Sequence, residues 1–252
     1  MKIKKILQTV ALGALTVLGS TAAMAQDKVR IATEGAYAPF NAINEQGELI
    51  GFDVEIARAL CAEMKVECEI VAQDWDGIIP GLMGRKYDAI IASMSVTKER
   101  QRVVDFTDRY YSNVLAFVGA KGKELDTSEA GLKGLTVGAQ RATRAGQYLE
   151  DHLADVVNVK LYGTQSEAYL DMANGRLDAM LSDKFPAYDW LRSADGENFE
   201  FKGADIDIND EIAIAVRKRD PLKEKFNAAI KAIVENGTYA EINARYFPFS
   251  IY

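Results

Sequence analysis

Strand-like and helix-like segments alternate along the chain from Val29 to Tyr246, which restricts it to α/β architectures whose sheets are covered by helices. Val29-Arg30-Ile31-Ala32 is a short β run, and Phe52 to Met64 sets Ile56, Ala57, Leu60 and Met64 on one helical stripe. Glu67 to Ala72 reads as a strand. Asp76 to Met83 reads as a short helix stopped by Gly84, with Pro80 early enough to be tolerated, and the strand Asp88 to Ala92 follows. The grammar then repeats. Gly84-Arg85-Lys86-Tyr87-Asp88-Ala89-Ile90-Ile91 is echoed about 90 residues later by Gly175-Arg176-Leu177-Asp178-Ala179-Met180-Leu181. Likewise Val29-Arg30-Ile31-Ala32 and Leu135-Thr136-Val137-Gly138 each open a unit, running from a strand into a polar loop. Two lobes of one plan account for both echoes. Near the end, Ile212 to Val216 is a strand, and Pro221 opens a helix carrying Leu222, Phe226, Ala229, Ile230 and Ile233, closed by Asn236-Gly237. A last helix, Thr238 to Tyr246, meets Pro248. No long polar linker precedes either helix, so this tail packs back on one of the lobes.

At 252 residues and 48% hydrophobic the chain can bury a full core, in one large or two medium domains. Its 37 acidic against 30 basic residues argue against a nucleic-acid partner. The single histidine, His152, excludes a His-rich metal site and leaves Ser-His or Cys-His chemistry one candidate; no cofactor is expected. Met1-Lys2-Ile3-Lys4-Lys5, the apolar Ile6 to Leu18 and the small-x-small site Ala23-Met24-Ala25 read as a secretory signal peptide over residues 1–25; an N-terminal anchor helix is the alternative. Cleavage there removes three lysines and no acids, taking the formal charge from −7 to −10. Export into an oxidising compartment favours pairing Cys61 with Cys68 as a structural disulfide, two buried free thiols being the other reading.

Three segments carry candidate chemistry. Ser93-Met94-Ser95-Val96-Thr97-Lys98-Glu99-Arg100 follows a buried strand and leads towards a helix, where hydroxyls and backbone N–H groups form an anion site and Arg100 supplies a bidentate clamp for a carboxylate. Plain capping by Thr97 with a solvated Arg100 is equally open. In Thr33 to Phe40, Glu34 and Tyr37 lie close together, and beside Trp75 they make an apolar slot with one negative end, suited to a cationic side chain. Either aromatic residue alone reads more simply as packing. Thr143 and Arg144 after Val137-Gly138-Ala139-Gln140, and Asp183 after Leu177 to Leu181, fall at sheet C-terminal edges, where α/β sites form. A lone Asp there is often a turn residue.

The chain resembles the polar amino-acid-binding proteins of bacterial ABC importers, which have the type-2 periplasmic binding-protein fold. The resemblance rests on Tyr37-Ala38-Pro39-Phe40, Gly51-Phe52-Asp53, Asp74 to Pro80, Asp88 to Thr97, Gly175 to Ala179 and Gly237-Thr238-Tyr239. Among these proteins it is most similar to the lysine/arginine/ornithine binders and the opine binders, octopine and nopaline among them, which share an acid at the Glu34 position and a paired cysteine loop. The resemblance implies that Ser93, Ser95, Arg100 and the Thr143 turn hold a ligand α-carboxylate and that Asp183 takes the α-ammonium. Tyr37 and Trp75 would sandwich the side chain, and Glu34 would meet its distal positive group. It further implies a two-lobed α/β receptor with its ligand in the inter-lobe cleft, the lobes being residues 26–113 with 209–252, and 114–208. Two hinge crossovers fall near 110–116 and 206–212. The expected activity is periplasmic capture of a basic amino acid, arginine first, then lysine, ornithine and histidine, by a monomer that delivers it to an inner-membrane ABC permease and is not an enzyme. An arginine-derived opine is the alternative ligand, an exported cyclohexadienyl dehydratase-like enzyme the alternative class, and a sensor presenting ligand to a chemoreceptor a third. Two departures stand out. Arg141-Ala142-Thr143 replaces the usual Gly-Ser-Thr, with Arg144 where a neutral residue is common, and Asp210-Glu211-Ile212 lacks the small-residue pattern usual before the last large strand.

Overall fold

The computed structural model describes residues 28–252, so the signal peptide expected over 1–25 lies outside the described residues. In chain order the elements are β1 (Lys28–Thr33), β2 (Ala36–Tyr37), β3 (Asn41–Ile43), β4 (Leu49–Ile50), α1 (Phe52–Met64), β5 (Glu67–Ala72), α2 (Trp75–Met83) and β6 (Ala89–Ile90). A 3-10 turn, Arg100–Arg102, leads into β7 (Val104–Ala120), followed by α3 (Glu129–Leu132), β8 (Thr136–Gln140) and α4 (Arg144–Tyr148). Then come a π-helical turn, Leu149–Leu153, β9 (Asn158–Tyr162), α5 (Gln165–Ala173), β10 (Ala179–Asp183), α6 (Lys184–Trp190), β11 (Phe199–Arg217), α7 (Leu222–Glu235) and α8 (Thr238–Tyr246).

One eight-stranded sheet runs β5-β1-β6-β11-β7-β10-β8-β9, and β2, β3 and β4 form a small separate sheet. The order is pseudo-symmetric. β1 sits between β5 and β6 in parallel, β8 sits between β9 and β10 in parallel, and the inner strands β6 and β10 each meet a long strand antiparallel. The shared long strands are β7, of 17 residues, and β11, of 19, which pair with each other and serve both halves. Their register slips between Lys202 and Ile206 and again between Ile206 and Asp210, where the chain passes from one half to the other. Helices cover both faces of each half. In the first half α1, α7 and α8 close over Phe40, Phe52, Tyr110, Tyr111 and Phe247, and α2 covers Ile90 and Tyr87 with Ile78 and Leu82. In the second, Leu132, Ala145 and Leu149 pack on one face, and Tyr169, Met172 and Ala187 on the other. Cys61, buried on α1, is disulfide-bonded to Cys68 on β5.

The sequence echo is a structural repeat, but its Gly-Arg pairs are one residue out of register. The N–H of Arg85 donates to Leu82, that of Lys86 to Gly81, and that of Asp88 to Arg30; those of Gly175, Arg176 and Asp178 do the same to Met172, Asp171 and Thr136. Asp88 and Asp178 each also accept, through a carboxylate oxygen, a backbone N–H of the neighbouring strand, at 3.1 Å from Arg30 and 2.8 Å from Thr136. Arg85, at φ 59°, therefore occupies the left-handed position that Gly175 fills at φ 69°. β6 is also shorter than the expected Asp88–Ala92. Ile91 still bonds Ala32, but the chain then turns through Ser93 at φ 52° towards the space between the halves.

Candidate functional site

Every expected site residue lines one narrow cavity between the halves, of about 10 Å³, room for little more than a water molecule. The first half supplies Glu34 from the end of β1, Tyr37 from β2, Trp75 from the start of α2, and Ser93, Ser95 and Arg100 from the loop after β6. The second half supplies Gln140 from the end of β8, Thr143 and Arg144 from the start of α4, and Asp183 from the end of β10. All three strand ends are carboxyl ends of parallel strands, the edge at which α/β sheets build sites.

The halves are closed on each other through hydrogen bonds at this cavity. Gln140 Nε2 donates to Glu34 Oε1 at 2.7 Å, and Tyr37 Oη donates to Asp183 Oδ2 at 2.5 Å. The Ala142 carbonyl accepts from Trp75 Nε1 at 3.2 Å and from Arg100 Nη2 at 2.7 Å. At the rim, Arg141 Nε donates to Asp76 at 2.7 Å. Arg100 also stacks over Trp75, 5.3 Å from the ring centroid, so one face of the indole is taken by a protein cation. Thr97 caps the Arg100 N–H at 3.1 Å, as the capping reading expects, but Arg100 is not left in solvent: its guanidinium lies in the cleft and donates to the Ser95 carbonyl at 2.9 Å.

Burial pushes the acids and the arginine of the closed cleft alike towards their neutral forms. Burial lifts the Glu34 carboxyl to about 7 against the hydrogen bond from Gln140, with Asp74 and Asp76 pushing the same way as burial. Asp183 is raised by burial and then by the nearby charge of Asp210, and its Oδ1 is buried without a partner. Arg100 is lowered to about 10 by burial, opposed by Asp210 and Asp183. Arg144 lines both the cavity and the groove that opens beside it, and Nη1 donates to Gln147 at 3.2 Å.

The expected hydroxyl donors are directed elsewhere. Ser93 Oγ donates to Asp53 at 2.9 Å, Ser95 Oγ to Asp210 at 3.2 Å, and Thr143 Oγ1 to the Gln140 carbonyl at 2.7 Å while capping Gly146. Free donors for an anion here are therefore the guanidinium groups and the N–H groups of these turns. Three polar residues outside the expected set complete the architecture. Gln140 holds Glu34; its position at a strand's carboxyl end is the signal that also marked Asp183. Asp53, fully buried, accepts from Ser93, from Tyr110 Oη at 2.7 Å and from Asn41 Nδ2 at 2.9 Å, while Asn41 Oδ1 accepts the Gly35 N–H at 2.7 Å. Burial raises Asp53 to about 6, and these donors oppose the rise. Asp210 is the third; the acidic departure from the small-residue pattern was its signal.

Two α/β halves joined by two crossing strands around a charged, closable cleft define a two-lobed solute receptor. The chain belongs to the bacterial extracellular solute-binding proteins, family 3, whose family model matches residues 29–249. An L-arginine-binding protein of Pseudomonas aeruginosa is 43% identical to it over 95% of this chain and 95% of its own length. The lysine/arginine/ornithine-binding periplasmic protein of Escherichia coli is 35% identical over 99% of this chain and 98% of its own. Among solved structures, an ancestral arginine-binding protein bound to arginine has a TM-score of 0.83 and 34% identity, covering 88% of this chain and 99% of that one. Among the described residues no helix is long and apolar enough to cross a membrane, and no cluster of His, Cys, Asp or Glu could hold a metal ion.

Proposed function

We propose that this protein is a periplasmic receptor that closes on a basic L-amino acid, arginine first, and delivers it to an ABC permease rather than transforming it. The observation that carries the reading is Glu34, a buried acid in the cleft whose charge is disfavoured until a cation arrives. A guanidinium against Glu34 and Gln140, between Tyr37 and the open face of Trp75, supplies that cation. Arg100 and the N–H groups of the Thr143 turn receive the α-carboxylate, and Asp183 receives the α-ammonium through its unpartnered oxygen. Ligand contacts from both halves stabilise the closed form, with the chain bending near 110–116 and 206–212, a reading supported by the register slips between β7 and β11 there.

Arg144 favours one second reading, an arginine-derived opine whose extra carboxylate would pair with it. Glu34 near 7 would also suit proton transfer in a dehydratase, which steady turnover of prephenate or arogenate would reveal. The deciding experiment is titration calorimetry on unfolded and refolded protein against arginine, lysine, ornithine, histidine, glutamine and octopine. Tightest binding of arginine is expected; failure to bind any basic amino acid would overturn the proposal.

A further inference from the structure

Behind the cavity, three buried side chains keep an oxygen without a hydrogen-bond partner: Asp183 Oδ1, Asp210 Oδ1 and Asn113 Oδ1. Their exposures are 6%, 4% and 4%, so water does not satisfy them from the surface. Register brings them together. β7 lies between β10 and β11, with Asp210 opposite Asn113 and Asp183 opposite Leu115, two residues farther along the same strand. Asn113 Nδ2 donates to Asp210 Oδ2 at 3.3 Å, which turns the amide oxygen away from Asp210 as a free acceptor. Asp210 Oδ2 also accepts a hydrogen bond from the hydroxyl of Ser95, at 3.2 Å, and Ser95 lines the cavity. A hydroxyl that has given its only proton to a carboxylate offers its lone pairs alone. Ser95 is therefore an acceptor, unsuited to a ligand carboxylate and suited to an N–H group.

We infer that Asp210 is a positioning residue for the ligand's α-ammonium: from behind the cavity it fixes Ser95 as an acceptor, so that Ser95 and Asp183 together present acceptors to a three-donor cation. This deepens the amino-acid reading above and rests on it. It also accounts for the two departures together. Arg144 adds a positive charge beside Arg100, and Asp210 adds the negative one, so that Glu34, Asp183 and Asp210 against two arginines leave the site balanced by a ligand of net charge +1. Arg144 and Arg100 both act to keep Asp210 ionised against its burial.

The test compares arginine with 5-guanidinopentanoate, which is arginine without its α-amino group, in the native protein and in Asp210→Asn. An asparagine amide nitrogen turned to Ser95 frees the serine proton to face the ligand, and Asp210→Ala, which removes the acceptor outright, serves as the second variant and should show the same selectivity. Arginine should weaken by about 10-fold or more, in line with an unsatisfied buried donor, while the deaminated analogue changes by less than about 2-fold. Ser95→Ala should show the same selectivity, and the double variant should lose no more than the greater single loss, because Asp210 acts through Ser95. Equal losses for both ligands, or none for arginine, would overturn the inference even with arginine binding intact. If native protein binds arginine no better than other ligands, its preferred amino acid and that compound's deaminated form replace the pair; binding of no α-amino acid would bring down both readings.

Discussion

Replacing Glu34 with glutamine separates what the cleft does for a cation from what closing it costs. Burial lifts the Glu34 carboxyl from an ordinary 4.5 to about 7, more than the Gln140 hydrogen bond at 2.7 Å offsets. At ~1.4 kcal/mol per pKa unit that is about 3 kcal/mol, borne at pH 7.5 by an empty cleft or by one closing on a neutral ligand. A guanidinium beside Glu34 removes this penalty, and deleting one partner of a buried pair costs about 3–5 kcal/mol. Glu34→Gln therefore moves two affinities in opposite directions. Arginine should weaken by about 100-fold or more, and glutamine should tighten by up to about 100-fold, because the variant closes without burying a charge. Calorimetric titration of refolded native and variant protein with both amino acids at pH 7.5 measures the pair. An arginine loss below about 5-fold with glutamine affinity unmoved would refute the reasoning, since Glu34 would then face no ligand charge in the closed form.

Ligand-free protein should be more compact in small-angle scattering at pH 5.5 than at pH 8. Closing raises the carboxyls of Glu34 and Asp183, so the closed form binds more protons; its advantage is full below the ordinary carboxylate range and is lost as pH rises through about 7. Arg85→Gly should raise the melting temperature by about 2–4 °C, because it relieves about 1 kcal/mol of left-handed backbone at φ 59° where the second half already has Gly175; an unchanged or lower Tm counts against this. The ligand-induced change in tryptophan fluorescence should vanish in Trp75→Phe and persist in Trp190→Phe, because Trp75 lines the cavity and Trp190 is stacked on Tyr169 at 4.4 Å.

Local elements were legible because periodicity and terminators agree. Phe52–Met64 and Thr238–Tyr246 are helices with the bounds expected of them, the first from its apolar stripe and the second from the stop at Pro248. The repeat was legible from its letters but not its register, because Asp88 and Asp178, rather than the Gly-Arg pairs, are what the two halves share in hydrogen bonding. Of the long strands only Ile212 to Val216 was legible as strand and β7 was not, since β7 and β11 change surroundings midway and carry no single alternation. Within the cleft, residue types indicated which side chains gather, but the direction of each hydroxyl proton was invisible. That direction depends on Asp53 and Asp210, distant in sequence from Ser93 and Ser95, and on nothing local to either serine.

The shared strands also set an order of assembly. β11 supplies the strand between β6 and β7, and α7 and α8 close the same half, so the half that begins with β1 lacks its covering layer until the C-terminal residues are present. The other half draws its strands and helices from one uninterrupted stretch, β7 to β11, and has its parts in hand earlier. A chain emerging N-terminus first therefore exposes its opening strands longest, held from completion by the long loop that must close before β11 can pair with β6. That dependence makes truncations near the C-terminus damage the first-made half most.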